Sequence, residues 1–302
     1  MEPFYPLNVR VCGRCYLVQL EQYVAPESIF TEYAYFSSYS DSWLRHAENY
    51  VGMITERLGL GEGSQVVELA SNDGYLLQHF VQKGIPVLGI EPAANVARAA
   101  EEKGIDTLVQ FFNPETASEL GDRGVQADLL LGNNVLAHVP DLNGFVAGIR
   151  TVLKKDGLAV IEAPYVVDLV DHCEFDTIYH EHFSYFSFLS ATTIFAAHGL
   201  RLFDVEELPT HGGSLRIYAC HDDDPRPNTE RAVELLAREE REGFRDLGRY
   251  GAFQQRVDET KHRLLEFLIQ ARRDGKTVAG YGAPGKGTTL LNSCGIRTDL
   301  LE

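Results

Sequence analysis

One short segment, Tyr179-His180-Glu181-His182-Phe183-Ser184-Tyr185, crowds two histidines, a glutamate and two tyrosines together. An imidazole that titrates near neutral pH, oriented by a neighbouring carboxylate, suits abstraction of a proton beside a carbonyl. A metal centre is the competing use. His180 and His182 are two apart and would face one way only on a strand, and the helical His-Glu-x-x-His spacing is absent. An aromatic core segment with satisfied histidines is the third reading, and for His180 it is preferred. His138 closely follows Asn133-Asn134, and a lone histidine is more often structural than catalytic. The turn His211-Gly212-Gly213-Ser214-Leu215-Arg216 offers a hydroxyl and a cation. It fits a polar ligand and a plain hairpin equally well.

A second signal is Val66-Val67-Glu68-Leu69-Ala70-Ser71-Asn72-Asp73-Gly74-Tyr75. An apolar run ends in an acid, and small residues then lead through a glycine into a helix over 75–82. The next strand ends in Glu91-Pro92, with Glu91 seventeen residues after Gly74. A carboxylate at that tip can accept both hydroxyls of a ribose. Each glutamate alone fits a solvated strand end, but together, on successive strands, they favour a nucleoside cofactor. No G-x-G-x-x-G is present, which argues against NAD. A carboxylate-tipped first strand points instead to S-adenosylmethionine (SAM), with Asn72 and Asp73 at its methionine end. Asn133 and Asn134 follow a third strand, and Phe111 and Phe112 are candidates to flank adenine.

These groups need a scaffold, and the apolar pattern supplies one. Strand-like runs at Gln65–Leu69, Val87–Ile90, Asp128–Leu131 and Leu158–Ala163 alternate with helical patterns, the signature of a parallel α/β sheet. A further strand is expected at Ser214–Cys220. Over 229–273, Leu236, Phe244, Leu247, Phe253, Val257, Leu264 and Leu268 recur at helical spacing, as in a packed connector helix. Lys276–Tyr281 reads as a new strand, followed by a glycine loop and a helix. The loop, Tyr281-Gly282-Ala283-Pro284-Gly285-Lys286-Gly287-Thr288, lacks P-loop spacing, and from spacing alone it is a tight turn with a solvated lysine.

The chain has 302 residues and a formal net charge of −17. Such an acidic protein would repel phosphate backbones, so no nucleic acid and no anionic membrane is expected as partner. No apolar run approaches the ~20 residues of a membrane span. Met1-Glu2-Pro3-Phe4-Tyr5 lacks the features of a signal peptide, and five scattered cysteines make no disulfide framework. The expected compartment is cytoplasmic.

Cys12-Gly13-Arg14-Cys15, Ser37-Ser38-Tyr39-Ser40, the Glu68–Tyr75 loop, Tyr179–Phe183, His211–Arg216 and Tyr281–Asn292 together resemble the sugar C-methyltransferases of deoxysugar biosynthesis. The match runs in order over nearly the whole chain. The Tyr-His-Glu-His and His-Gly-Gly-Ser-Leu-Arg segments are specific, whereas the cofactor loop alone is not. The resemblance implies a class I SAM-methyltransferase Rossmann-like domain over 41–200. It implies a zinc-binding module over 1–40 and a second Rossmann-like domain for the sugar nucleotide over 201–302. It further implies His182 as general base, with Tyr179, Glu181, His138 and Tyr33 in support. The implied substrate is a dTDP-linked 4-keto deoxysugar methylated beside its ketone. Glu181 would orient His182, and Tyr179 or His138 would stabilise the enolate. Substrate contacts would come from His211, Gly213, Ser214, Arg216, Tyr281, Gly282, Lys286, Gly287 and Thr288.

Two features depart from the family. Its zinc module uses two Cys-x-x-Cys pairs, and only Cys12 and Cys15 are present, half of a tetrahedral set. The sequence also reads as cut off soon after its last strand, loop and helix, which makes the C-terminal domain incomplete. The alternatives are a SAM-dependent O- or N-methyltransferase of a natural-product intermediate, and a truncated homologue that binds ligand without turnover.

Overall fold

The computed structural model describes residues 5–282 and 284–302. Met1–Phe4, in the signal-peptide reading, and Ala283, in the glycine loop, lie outside them.

Among the described residues ten strands form two sheets. β1 (Val9–Val11) and β2 (Val18–Leu20) are an N-terminal hairpin. β3 (Val66–Leu69), β4 (Val87–Ile90), β5 (Thr107–Leu108), β6 (Ala127–Asn133) and β7 (Leu153–Pro164) follow. β8 (Ser184–Tyr185), β9 (Leu200–Leu208) and β10 (Ser214–His221) complete the set. The large sheet runs β5-β4-β3-β6-β7-β10-β9, with β10 opposite in direction to the other six. It is the open α/β sheet expected of a class I methyltransferase.

Alternation along the strands builds two cores, one on each face. Val67, Leu69, Leu130, Ala159, Ile161, Leu215 and Ile217 pack on one side. Val66, Leu129, Leu131, Leu158, Val160 and Tyr218 pack on the other, against the helix Asp41–Leu58 through Tyr50, Val51 and Ile54. That helix is capped by the Ser40 side chain, which accepts from the Trp43 amide, and it stops at Gly59 in the left-handed region (φ 64°). It thereby fixes Trp43 and His46 beside the sheet.

β8 begins two residues after His182 and pairs with β2, and the Leu20 amide donates to the Phe183 carbonyl at 3.0 Å. The N-terminal hairpin therefore supports the histidine segment directly.

The structure corrects three expectations. β9 and β10 hydrogen-bond into the large sheet, so the sheet runs across residue 200, where the sequence suggests a domain boundary. The 229–273 stripe is three helices, Glu230–Arg241, Leu247–Gly251 and Phe253–Arg273, broken where Gly243 turns left-handed (φ 86°). Lys276–Tyr281 forms no strand among the described residues; there the Glu302 amide donates to the Val278 carbonyl. The helices Phe253–Arg273 and Gly285–Cys294 share a small core of Leu268, Cys294 and Ile296.

Candidate active site

A cavity of about 840 Å³ opens at the C-terminal ends of β3, β4, β6 and β7, where open α/β sheets bind ligands. Ala70, Asn72, Glu91, Pro92, Phe111, Phe112, Asn133 and Asn134 form one wall. Tyr33, His138, Tyr179, Glu181 and His182 form another, and His211 and Lys286 reach it from the C-terminal segments.

The cofactor wall is shaped by backbone geometry. Ala70 (φ 54°), Asn72 (φ 50°) and Gly74 (φ 73°) all turn left-handed in the loop after β3. Gly74 has a second reason to be glycine, because a Cβ there would fall 2.2 Å from the Ile105 side chain. The Asn72 amide donates to Glu91 Oε2 and the Ala93 amide to Oε1, both at 2.9 Å. Glu91 is thus fixed at the cavity edge with lone pairs to spare for ribose hydroxyls. Glu68 is buried, and its carboxyl is held far above the usual range by burial, then by Glu91 and Asp73. Glu68 Oε2, Ser71 Oγ, Asp73 Oδ1 and Asn133 Oδ1 are buried without a hydrogen-bond partner among the described residues. Of these four residues Asn133 lines the cavity, beside Glu91 and Asn134. Carboxylate and carboxamide oxygens at that edge accept from the ribose hydroxyls and the ammonium of SAM.

Glu68, Ser71, Asp73 and Gly74 themselves stand behind the cavity wall. The Asn72 side chain, expected at the methionine end, bonds instead to residues 35 and 37, with Nδ2 donating to the Tyr35 carbonyl and Oδ1 accepting from the Ser37 amide.

On the other wall, His182 Nδ1 lies 3.2 Å from the Thr177 carbonyl oxygen. A carbonyl only accepts, so Nδ1 carries the proton and Nε2 holds the free lone pair. The Tyr179 hydroxyl is 3.3 Å from Nε2 and donates to it. The expectation that Glu181 orients His182 is corrected here. Thr177 ends a short 3-10 turn, Phe175–Thr177, and the chain folds back through a bond from the His182 amide to the Tyr179 carbonyl (3.0 Å). That turn puts a main-chain oxygen, not a carboxylate, beside the ring. Sequence reasoning missed Thr177 because a carbonyl leaves no residue-type signal.

The His138 ring lies 4.8 Å from that of His182 at 69°, and Phe30 meets His138 edge-on. Burial, then His138, push His182 down to about 3, against the Thr177 carbonyl. Burial pushes His138 down to about 4. Both imidazoles are neutral at neutral pH. Burial, then Glu181, lift Tyr179 to about 12 and raise Tyr33 further, so both phenols keep their protons.

A stability consequence follows from the signs. Unfolded histidine titrates near pH 6.5, well above these folded values. The unfolded chain therefore binds protons that the fold excludes. The stabilisation from neutral burial is complete above about pH 6.5 and is lost as pH falls toward the folded values. Thermal unfolding from about pH 7 to about pH 4 is expected to show a falling Tm, with a shallower fall for His138→Phe.

Several expected substrate contacts lie off the cavity. Arg216 is buried between its cross-strand partners, Glu162 on β7 and Glu206 on β9, at 2.6 and 3.0 Å, and stacks on the Tyr50 ring. Ser214 Oγ donates to the Thr210 carbonyl, and Gly213 packs where a Cβ would meet Asp168. Tyr281 and Gly282 are exposed, and Gly287 and Thr288 do not line the cavity either. His211 does, with Nε2 3.4 Å from Asn134 Nδ2 and its ring against Trp43.

Cys12 and Cys15 sit on the β1–β2 turn, closed by the Tyr16 amide donating to the Cys12 carbonyl. Among the described residues no cluster of His, Cys, Asp and Glu forms that could hold a metal. Two thiols do not complete a tetrahedral zinc site.

The sheet order, with Glu91 and Asn133 at the strand tips beside the cavity, is that of a SAM-dependent methyltransferase. Family models agree in three consecutive stretches: "Methyltransferase domain" over 43–205, "C-methyltransferase C-terminal domain" over 209–302 and "Putative zinc binding domain" over 1–30. The C-methyltransferase NovU of Streptomyces niveus is 40% identical over 98% of this chain and 70% of its own length. A ubiquinone biosynthesis O-methyltransferase of Chelativorans sp. (strain BNC1) is 29% identical over 35% of this chain and 48% of its own. In fold, the chain is similar to the PH0226 protein of Pyrococcus horikoshii OT3, with a TM-score of 0.51, 14% identity and coverage of 65% of this chain and 97% of that one. The chain belongs to the C-methyltransferase family that its motifs resemble. Among the described residues no helix is long and apolar enough to cross a membrane.

Proposed function

We propose that the enzyme methylates the carbon alpha to the ketone of a dTDP-linked 4-keto deoxysugar, with His182 as general base. The observation that carries this reading is the His182 tautomer. A neutral imidazole whose unprotonated Nε2 accepts from the Tyr179 hydroxyl faces the same cavity as Glu91. A hydroxyl has a lone pair and can lose its proton as it attacks a methyl donor, whereas a C–H alpha to a carbonyl has no nucleophilic pair until a base has removed the proton. Once bound, SAM supplies an electrophilic methyl on a sulfonium.

His182 Nε2 takes the alpha proton. The Tyr179 hydroxyl, released from Nε2 as the substrate enters, and Tyr33 donate to the developing enolate oxygen. Both phenols are protonated at neutral pH, as a donor must be. Glu181 lines the cavity and is half-buried, with its carboxyl raised by burial. It would accept a hydrogen bond from a sugar hydroxyl. The N-terminal module, over 1–40, would enclose the site through Phe30 and Tyr33. The C-terminal part, over 201–302, would bring Lys286 and the start of the helix Gly285–Cys294 to the diphosphate.

Incubation with SAM and a dTDP-4-keto-6-deoxysugar should yield a product heavier by one methyl, carbon-bound by NMR. A methyl on oxygen or nitrogen, or no transfer by protein that binds S-adenosylhomocysteine, would overturn the reading. The cofactor arm is tested separately by calorimetric titration with S-adenosylhomocysteine. Losing two ribose contacts in Glu91→Ala should weaken binding by about 10- to 100-fold. Unchanged affinity would remove Glu91 from the site.

A further inference from the structure

Between the N-terminal hairpin and the helix Asp41–Leu58, residues 33–38 run without regular structure until the turn at Ser37–Tyr39, and Tyr33, Tyr35 and Ser37 line the cavity. A segment without a ladder must find partners for its backbone groups elsewhere. Here they come from side chains on the cofactor half. Asn95 Oδ1 accepts from the Tyr33 amide at 3.1 Å while Asn95 Nδ2 donates to the Tyr33 carbonyl at 2.7 Å. Asn72 repeats the pattern at residues 35 and 37, with both bonds at 3.0 Å. Asp73 accepts from the Ser38 amide, and Lys103 Nζ reaches both the Ser38 hydroxyl and the Asp73 carbonyl.

The two asparagines act as detached pieces of a β-ladder. Each carboxamide presents one acceptor and one donor to the main chain, which a carboxylate or an aliphatic side chain cannot do. They also share an anchor. Glu91 accepts from the backbone amides of Asn72 and Ala93, and Ala93 begins the helix Ala94–Glu101 that carries Asn95.

We infer that Asn95, which lies outside the cavity, is a positioning residue that holds Tyr33 at the reacting centre, and that Asn72 and Asn95 strap residues 33–38 onto the cofactor loop. This rests on the proposed role of Tyr33. Tyr33 enters the cavity from a segment with no ladder of its own; its ring packs on Phe30 and Tyr35, and the Asn95 bonds on its own peptide groups set where its backbone starts. Displacement on the order of 1 Å can cost about 100-fold in rate.

The test has two arms. Without substrate, hydrogen–deuterium exchange of the peptide covering residues 33–38 should accelerate in Asn95→Ala, while β3 and β6 keep their protection and S-adenosylhomocysteine affinity holds within about twofold. Unchanged exchange would overturn the strap. With substrate, Asn95→Ala should lower kcat by about 10- to 100-fold with little change in KM for SAM. In a Tyr33→Phe background the same substitution should cost almost nothing further. An equal loss in both backgrounds, or a silent Tyr33→Phe, would overturn positioning through Tyr33. Asn95→Asp guards against a folding defect: it keeps the acceptor and the volume, loses the donor, and should show a smaller loss of the same kind. Should no methyl product form with wild type, the exchange arm still judges the strap, separating its failure from that of the proposed function.

Discussion

His182→Asn is expected to bring carbon methylation down by about 100- to 10,000-fold, the range carried by a well-placed general base. That corresponds to roughly 3–5 kcal/mol of barrier. Asparagine can still donate to the Thr177 carbonyl, so the turn at Phe175–Thr177 should survive. What disappears is the Nε2 lone pair. Tm and S-adenosylhomocysteine affinity should therefore stay near wild type while kcat falls. A variant that keeps full activity would remove His182 from the chemistry. Because burial and His138 push His182 down to about 3, the free enzyme holds it as a base throughout the neutral range. The acid limb of kcat/KM should then lie well below the ordinary histidine value, and a limb at the ordinary value would mean the ring is less enclosed than it is here.

Arg216→Met should be the most destabilising single change, and it should act on the fold more than on the substrate. Arg216 is almost fully buried, with Glu162 and Glu206 as its direct neighbours across the sheet. Burial alone would raise Glu162, but His46 and Arg216 outweigh it and hold the carboxyl below its ordinary range. Removing the guanidinium leaves a carboxylate stranded in the core, at about 3–5 kcal/mol. For a chain of this size the fall in Tm is on the order of 10 °C. Adding Glu162→Gln should return part of the loss, because the fully buried charge is then gone while Glu206, partly exposed, keeps Arg231 as a partner at 3.4 Å. If Arg216 held substrate, the signature would reverse, with Tm preserved and KM raised.

The contrast between these two residues marks what a sequence conveys. Glu91 could be placed at a strand tip because acids and glycines recur at fixed places in an α/β sheet, and β4 begins and ends where its apolar run does, whereas Glu68 lies inside β3, behind the cavity wall. The histidine segment stood out by crowding alone. Arg216 misled because a strand residue can face either side, and only the register reveals two glutamates abreast of it. β9 was hidden because Arg201, Asp204, Glu206 and Glu207 interrupt its apolar run; Asp204 is buried and paired with Arg57 and Arg231 from two helices. The groups that orient His182 and Tyr33 were the least accessible to sequence reasoning. One is a carbonyl at Thr177 and the other is Asn95, sixty-two positions from its partner. Neither type of residue announces that use.

The most direct measurement follows the alpha proton of a dTDP-4-keto deoxysugar by NMR in deuterated buffer, with S-adenosylhomocysteine present so that no methyl is transferred. The account predicts exchange of that proton by wild type and its loss in His182→Asn, with both proteins binding the cofactor product equally. Exchange that persists in His182→Asn would contradict the assignment of the base. Methyl transfer that leaves every alpha C–H bond of the sugar in the product would contradict chemistry at carbon.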